Sequence, residues 1–321
     1  MRVPKAIIGA TLTALALTAC GNASGGADDL KVGIVNLVSH PALDAAQEGF
    51  VEGLAEAGYE EGKNLTLDIQ NASGDQSTLT SIAGSFATGD HDVYYAIATP
   101  SAQALSQVIT DRPIVFAAVT DPVAAGLVSS WESPDANVTG VSDLNPMDAQ
   151  VELIREVVPD ARSVGIVYSS GEVNSEVQVK DAEAAAKKLD MQVVTKTVTN
   201  SSEVQQAAAG LEADAILVPT DNVVVSAAES VVQVAEERGI PVFASDEATM
   251  ERGAAAGLSV NYTQQGKDAA KLAVELAKGK EASELPVEKQ TEFDLFVNAE
   301  AAKRQGVTLP EAVIERAAKQ F

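Results

Sequence analysis

The run Ile114-Val115-Phe116-Ala117-Ala118-Val119 is apolar without a break and stops at Thr120-Asp121-Pro122. An apolar run of this length, rich in β-branched residues, predicts a strand buried on both faces of a parallel sheet. Thr120 or Asp121 suits the cap of a following helical turn. Pro122 suits its first position, where a fixed helical φ helps and a missing N–H costs nothing. The same succession returns at Ala215-Ile216-Leu217-Val218-Pro219, followed by Thr220-Asp221-Asn222. Around the first run the spacing predicts strands over 30–35, 65–70 and 93–98, and helices over about 42–57, 77–88 and 101–110. Around the second it predicts strands over 163–168, 193–197, 242–244 and 258–260, with helices over 149–157, 174–189, 203–211 and 223–238. A helix over 264–278 fits a return to the first half, before a last strand over 293–297 and a helical stretch after Pro310. Such alternation predicts an α/β chain with two doubly wound parallel sheets. Their carboxyl edges, where open α/β sheets bind ligands, would face each other across a cleft.

Composition narrows the partners. The 321 residues suffice for two domains, each with its own core. Lys+Arg of 22 against Asp+Glu of 46 leaves a formal charge of −24, which excludes a phosphate-neutralising face and so nucleic acid. The first residues are a separate object. Arg2 and Lys5 precede an apolar stretch over 6–16, too short to span a bilayer, and then Leu17-Thr18-Ala19-Cys20-Gly21. This resembles the lipobox of bacterial lipoproteins, which implies cleavage before a lipidated Cys20 and a membrane held through its N-terminal lipid. Cys20 is the one cysteine, so neither an internal disulfide nor a cysteine metal site is expected. Residues 22–29 are small and polar, as suits a tether.

The expected strand ends gather one kind of chemistry. They bring Asn36, His40, Asp44, Thr99, Ser101, Thr120 and Asp121 from the first half. From the second come Ser169, Glu172, Asn174, Ser175, Thr220, Asp221 and Asn222, with Ser245, Asp246 and Glu247 beyond them. Hydroxyls, amides and carboxylates without Lys or Arg suit a ligand that carries an amine. Any carboxylate on it would be held by hydroxyls and helix N-terminal N–H groups. Each residue alone is also an ordinary cap; the weight lies in the recurrence at one edge of both halves. Asp121 is the first choice for the ammonium and Asp221 the second. Thr99, Ser101, Thr120, Ser175 and Thr220 are candidates for the carboxylate, and Tyr168, Tyr262 and Phe116 for a ring pocket. Enzyme readings lack parts. There are two histidines, His40 and His91, and no Gly-x-Ser-x-Gly elbow, Gly-x-Gly-x-x-Gly opening or Walker loop. Neither a metal nor a cofactor is expected.

Several stretches resemble the tryptophan/tyrosine-type substrate-binding lipoproteins of ABC transporters. They are His40-Pro41-Ala42-Leu43-Asp44 with Gly49-Phe50, Ala98-Thr99-Pro100-Ser101-Ala102-Gln103, and the segments 119–127 and 137–143. Glu172-Val173-Asn174-Ser175, Val218-Pro219-Thr220-Asp221-Asn222 and Asn261-Tyr262 continue the match. The resemblance implies a type I periplasmic-binding-protein fold: two Rossmann-like lobes, a three-segment hinge, and closure on the ligand. It implies an extracytoplasmic, lipid-anchored receptor that takes an aromatic amino acid (Trp, Tyr or Phe), or a related small amine-bearing ligand, and delivers it to a permease and its ATPase. A monomer without catalysis is expected. The boundaries expected are a signal peptide over 1–19, a tether over 20–29, a first lobe of 30–142 with 263–285, and a second of 143–262 with 286–321. A sugar or nucleoside receptor would use the same fold, but few aromatic residues fall at the strand ends to stack on a ring. A regulator's effector domain conflicts with the signal peptide and with the absence of a basic DNA-binding helix. A surface hydrolase built on Asp121 and Asp221 would show turnover.

Overall fold

The computed structural model describes residues 29–134 and 137–321. The signal peptide, Cys20 and most of the tether lie outside the described residues. The chain enters the first lobe through β1 (Leu30–Asn36), α1 (Pro41–Glu56), β2 (Leu65–Asn71), α2 (Gln76–Ala87), β3 (Val93–Ile97), α3 (Thr99–Ser106), β4 (Ile114–Val119) and β5 (Val138–Ser142). The second lobe begins with α4 (Met147–Val157), β6 (Ser163–Ser169), α5 (Val173–Lys188), β7 (Gln192–Val198) and α6 (Val204–Ala209). It continues with β8 (Ala215–Val218), α7 (Asn222–Ser226), α8 (Ala228–Arg238), β9 (Val242–Ala244), α9 (Glu247–Glu251) and β10 (Ala256–Ser259). The chain then returns to the first lobe as α10 (Tyr262–Ala277) and β11 (Glu288–Lys289). It finishes in the second with β12 (Asp294–Val297), α11 (Ala299–Arg304), α12 (Glu311–Glu315) and β13 (Lys319–Gln320).

The first sheet runs β11-β5-β4-β3-β1-β2 and the second β13-β12-β10-β9-β8-β6-β7. Every residue of β3 and β4 is buried, as their unbroken apolar runs require. The edge strand β2 exposes more polar positions, in keeping with its alternating sequence. In both sheets the strand order reverses beside the first strand of the lobe. The crevices are between β1 and β3 in one lobe and between β6 and β8 in the other. Such reversals open a gap at the carboxyl ends where helices diverge to opposite faces.

The returning helix is anchored by close packing. A Cβ on Gly49 of α1 would lie 2.1 Å from the Thr263 carbonyl oxygen, and one on Gly266 of α10 would lie 2.2 Å from that of Ala46. The two backbones therefore touch where the glycines fall, and α10 is held on the first lobe.

Two boundaries differ from the expected ones. The chain stays in the first lobe to Lys289, because Glu288 and Lys289 pair with Val141 and Ser142 of β5. The third crossing thus lies at 290–293 and not before 286; a two-residue polar strand carries no hydrophobic period to read. Tyr262 opens α10 and so belongs with the first lobe. The second sheet is not wholly parallel either, since β12 runs antiparallel to β10.

Candidate ligand-binding site

The lobes meet along their carboxyl edges. Thr120 Oγ1 at the end of β4 lies 3.5 Å from Thr220 Oγ1 at the end of β8. Val173, at the start of α5, packs against the core of the first lobe. An open cleft of about 560 Å³ runs between the lobes. One wall includes Leu37, Val38 and Pro100, and the other Ser169, Glu172 and Asn222. Deeper in, a cavity of about 10 Å³ is bounded by His40, Leu43, Ala118, Asp143, Val225 and Tyr262, among others. Among the described residues no Lys or Arg lines either space.

Six buried side-chain atoms at this junction have no hydrogen-bond partner among the described residues. They are Asn36 Oδ1, both ring nitrogens of His40, Thr99 Oγ1, Ser101 Oγ and Asn174 Oδ1. Asn36 ends β1, His40 caps α1, and Thr99 and Ser101 open α3, all at the β1/β3 crevice. Asn174 begins α5 at the β6/β8 crevice. A buried polar group left unpaired costs about 1–3 kcal/mol, and here that cost is concentrated at two facing crevices. Backbone strain falls at the same edge. Ala98, just before Thr99, has φ 80° and ψ 152°, and Ala118 in β4 has φ 55°. Such conformations in alanine cost about 1–3 kcal/mol each and persist where surrounding structure imposes them. Here Ala98 is held between the buried end of β3 and the first turn of α3.

The carboxylates divide sharply. Asp221 is fully buried and takes hydrogen bonds from Ser169 N (2.6 Å), Ser175 Oγ (2.7 Å) and Val224 N (2.8 Å). It caps α7 and ties the ends of β6 and β8 together; burial raises its pKa. Asp246 caps α9, with one oxygen on Thr249 N and the other on Thr249 Oγ1. Asp143, in the first crossing, accepts from Thr120 Oγ1 at 2.9 Å and Tyr262 OH at 2.8 Å. Glu172 differs from all three. Its Oε2 takes Asn174 Nδ2 at 3.0 Å and both Asn222 Nδ2 and N at 2.5 and 3.3 Å, while its Oε1 receives no bond from a described residue. Burial, with the charge of Asp221 adding to it, pushes the Glu172 carboxyl up to about 8. His40 moves the other way, to about 4, because burial and then the Arg252 guanidinium disfavour its cation, with Asn222 opposing the shift. His40 is therefore neutral near pH 7, with one ring nitrogen to donate and one to accept.

Glu172 and Asn222 line the cleft, and His40 and Asn222 the inner cavity; Asn36, Thr99, Ser101 and Asn174 stand buried at the strand ends of the two crevices and line neither space. Ser169 borders the cleft, Thr220 and Asp221 border the inner cavity, and Ser175 supports Asp221 through its hydroxyl. Asp246 reaches the inner cavity but is spent on its cap. Three expectations change. Asp121, first choice for the ammonium, turns to the N–H groups of Val123 and Ala124 (2.9 and 3.0 Å) in its own turn and lines neither space. Asp44 sits on α1 with its carboxylate on Ser39 Oγ, one turn away from the crevice. Phe116 belongs to the first core and Tyr168 packs against the second, while Tyr262 spends its hydroxyl on Asp143 and still lines the inner cavity, so of the three only Tyr262 reaches either space. The sequence reading also passed over Gln178, whose Oε1 accepts from Thr220 N and Thr220 Oγ1, both at 3.0 Å. It lies one helical turn after Asn174, on the same face, and that spacing was the available signal. Asp143 has no such local signal, because its partners come from distant segments.

A model of the ABC transporter substrate binding protein family matches residues 31–321. The tyrosine-binding protein of Clostridioides difficile (strain R20291) is 42% identical over 275 residues, covering 85% of this chain and 80% of that protein. The ABC domain in complex with L-Trp from Streptococcus pneumonia superimposes with a TM-score of 0.89 at 34% identity, covering 92% of this chain and all of that one, 100%. The ligand-free, open structure of a Clostridium difficile substrate-binding protein with adhesive properties is nearer in sequence, at 40% identity, but gives a TM-score of only 0.69 over 90% of this chain and 98% of that one. The nearer sequence is the poorer match in shape. In overall shape this chain is nearer to the L-Trp complex than to the ligand-free, open structure, and its lobes touch at Thr120 and Thr220.

Proposed function

The chain belongs to the family of ABC transporter substrate-binding proteins, and on that premise we propose that it is an extracytoplasmic receptor for an aromatic amino acid. The observation that carries this reading is the set of unpartnered buried polar atoms at the two facing crevices. Their chemistry suits an α-amino-acid head. The hydroxyls of Thr99 and Ser101, with the free N–H groups of the first turn of α3, suit a carboxylate. The amide oxygens of Asn36 and Asn174 suit an ammonium. The apolar positions Leu37 and Val38 beside them suit a ring. Similarity to a tyrosine-binding protein and to a domain complexed with L-Trp supports the ligand class. The receptor closes on its ligand and presents both lobes to a permease powered by an ATPase. Lipid on Cys20 holds it at the outer face of the membrane. It acts as a monomer and performs no catalysis.

Thermal unfolding of the soluble form with a panel of amino acids, sugars and nucleosides tests the reading. A ligand at a hundred times its Kd adds about 2.7 kcal/mol. For lobes of this size that raises Tm by about 5 °C or more. Tyr, Trp or Phe is expected to give the shift. A shift with sugars or nucleosides alone would overturn the ligand class and leave the fold and transport role standing.

A further inference from the structure

Resting on the amino-acid reading, we propose that Glu172 Oε1 takes the ligand's ammonium and that Glu172 gives up a proton as the ligand binds. The assignment follows by elimination among the buried carboxylates of the described residues: Asp143, Glu172, Asp221 and Asp246. Both oxygens are engaged in Asp143, in Asp221 and in Asp246. Glu172 alone among them keeps an oxygen free of hydrogen bonds, and it lines the cleft. Asn174 donates its Nδ2 to Glu172 Oε2 and keeps its own Oδ1 unpartnered, so a second unspent oxygen belongs to a side chain in contact with Glu172.

The surroundings explain the proton. Asp221 is the charged neighbour that acts on Glu172, and its charge disfavours a second anion. His40 lines the inner cavity with Asn222, the amide that binds Glu172, and is neutral near pH 7. Arg252, ion-paired with Glu229, acts on His40 and Asp246. Across the cleft, α2 presents Gln76, and α3 and its end present Gln103 and Gln107; on Glu172's own lobe the loop after β7 presents Asn200, and among the described residues no charged side chain besides Glu172 lines this space. Without a cation the carboxyl stays protonated up to about pH 8. An arriving ammonium keeps its three protons and requires the carboxylate, so the acid's proton leaves to water in the cleft.

The experiment is titration calorimetry of the wild-type protein with L-tyrosine from pH 6 to pH 8, in buffers of different ionisation enthalpy. Release of close to one proton per tyrosine at pH 6–7 is expected, with affinity rising nearly tenfold per pH unit and levelling near pH 8. Glu172→Gln keeps an acceptor for Asn222. It should abolish the proton release and the pH slope, and weaken binding most at pH 8. Tyrosine binding without proton release, or Glu172→Gln with wild-type affinity and slope, would overturn the proposal while the amino-acid reading stands. If no aromatic amino acid binds the wild-type protein at any of these pH values, the reading itself fails and the proposal with it.

Discussion

The chain writes Thr-Asp twice at the end of a buried strand, and the two copies have opposite fates. At the end of β8, Asp221 is enclosed and bonded to three groups from three segments. At the end of β4, Asp121 is half-buried and serves two N–H groups of its own turn. The threonines meet across the lobes, yet one donates to Asp143 of the hinge and the other to Gln178 of α5. Both aspartates cap, as their type and position dictate. What separates them is what packs over the cap. The β6 end and α5 cover Asp221, while Asp121 looks out beside Asp181, whose carboxyl is raised by partial burial and then by the negative charge of Asp121. A shared motif thus fixes a local hydrogen bond and leaves burial, and with it energetic weight, to the neighbours.

The sharpest way to break this comparison is Asp221→Ala. Removing the carboxylate strands buried N–H groups of Ser169 and Val224 and should cost about 3–5 kcal/mol in denaturant unfolding. A loss under about 1 kcal/mol would mean that burial does not separate the two copies.

The first lobe's own buried group is His40, and pH reads it. Its folded pKa of about 4 lies below the ordinary 6.5, so the unfolded chain takes up a proton first. The stability that neutral His40 contributes is present above pH 6.5 and is lost as pH falls through 4, in total about 3 kcal/mol. Glu172, with its carboxyl raised to about 8, contributes with the opposite sign over this range, so the His40 loss is read as a difference: between pH 7 and pH 4 the wild type should lose more stability, or gain less, than His40→Leu. Equal slopes would place the effect elsewhere.

Smaller effects sharpen the contrast between satisfied and unsatisfied hydroxyls. Thr120→Val takes a donor from buried Asp143 and should cost about 1.5 kcal/mol. Ser101→Ala removes an unpartnered hydroxyl, so the ligand-free protein should keep its stability or gain up to about 1 kcal/mol, while tyrosine binds roughly tenfold more weakly. Calorimetry beside thermal unfolding separates the two signs. The smallest change is Asp121→Ala, expected at about 0.5–1 kcal/mol by the ordinary worth of a cap, with tyrosine affinity unchanged.

Much of the site was legible because ligand-facing residues of α/β sheets come at strand ends, and strand ends follow from where apolar runs stop. Asn36, Thr99, Ser101 and Asn174, expected at strand ends, are where buried polar atoms stand unpartnered. Glu172 was found as a candidate but placed below Asp121, since a free oxygen on one carboxylate and an occupied one on another look alike in a sequence. Gln178 was missed although its helical spacing from Asn174 was visible. Asp143 and Tyr262 bond to each other across 119 positions of chain, which no local pattern reports.

By itself the sequence determined the alternation of strands and helices, two sheets with apolar centres, the caps at their carboxyl edges and the sign of the charge there. These follow from periodicity and from side-chain chemistry within a few residues, which act before distant parts of the chain meet. Only the tertiary structure decided which carboxylate is spent and which is free, where the third crossing falls, and that His40 and Glu172 are both driven toward their neutral forms. Those outcomes depend on desolvation and on hydrogen bonds between segments far apart in sequence, and both exist only once the two lobes are folded and closed together.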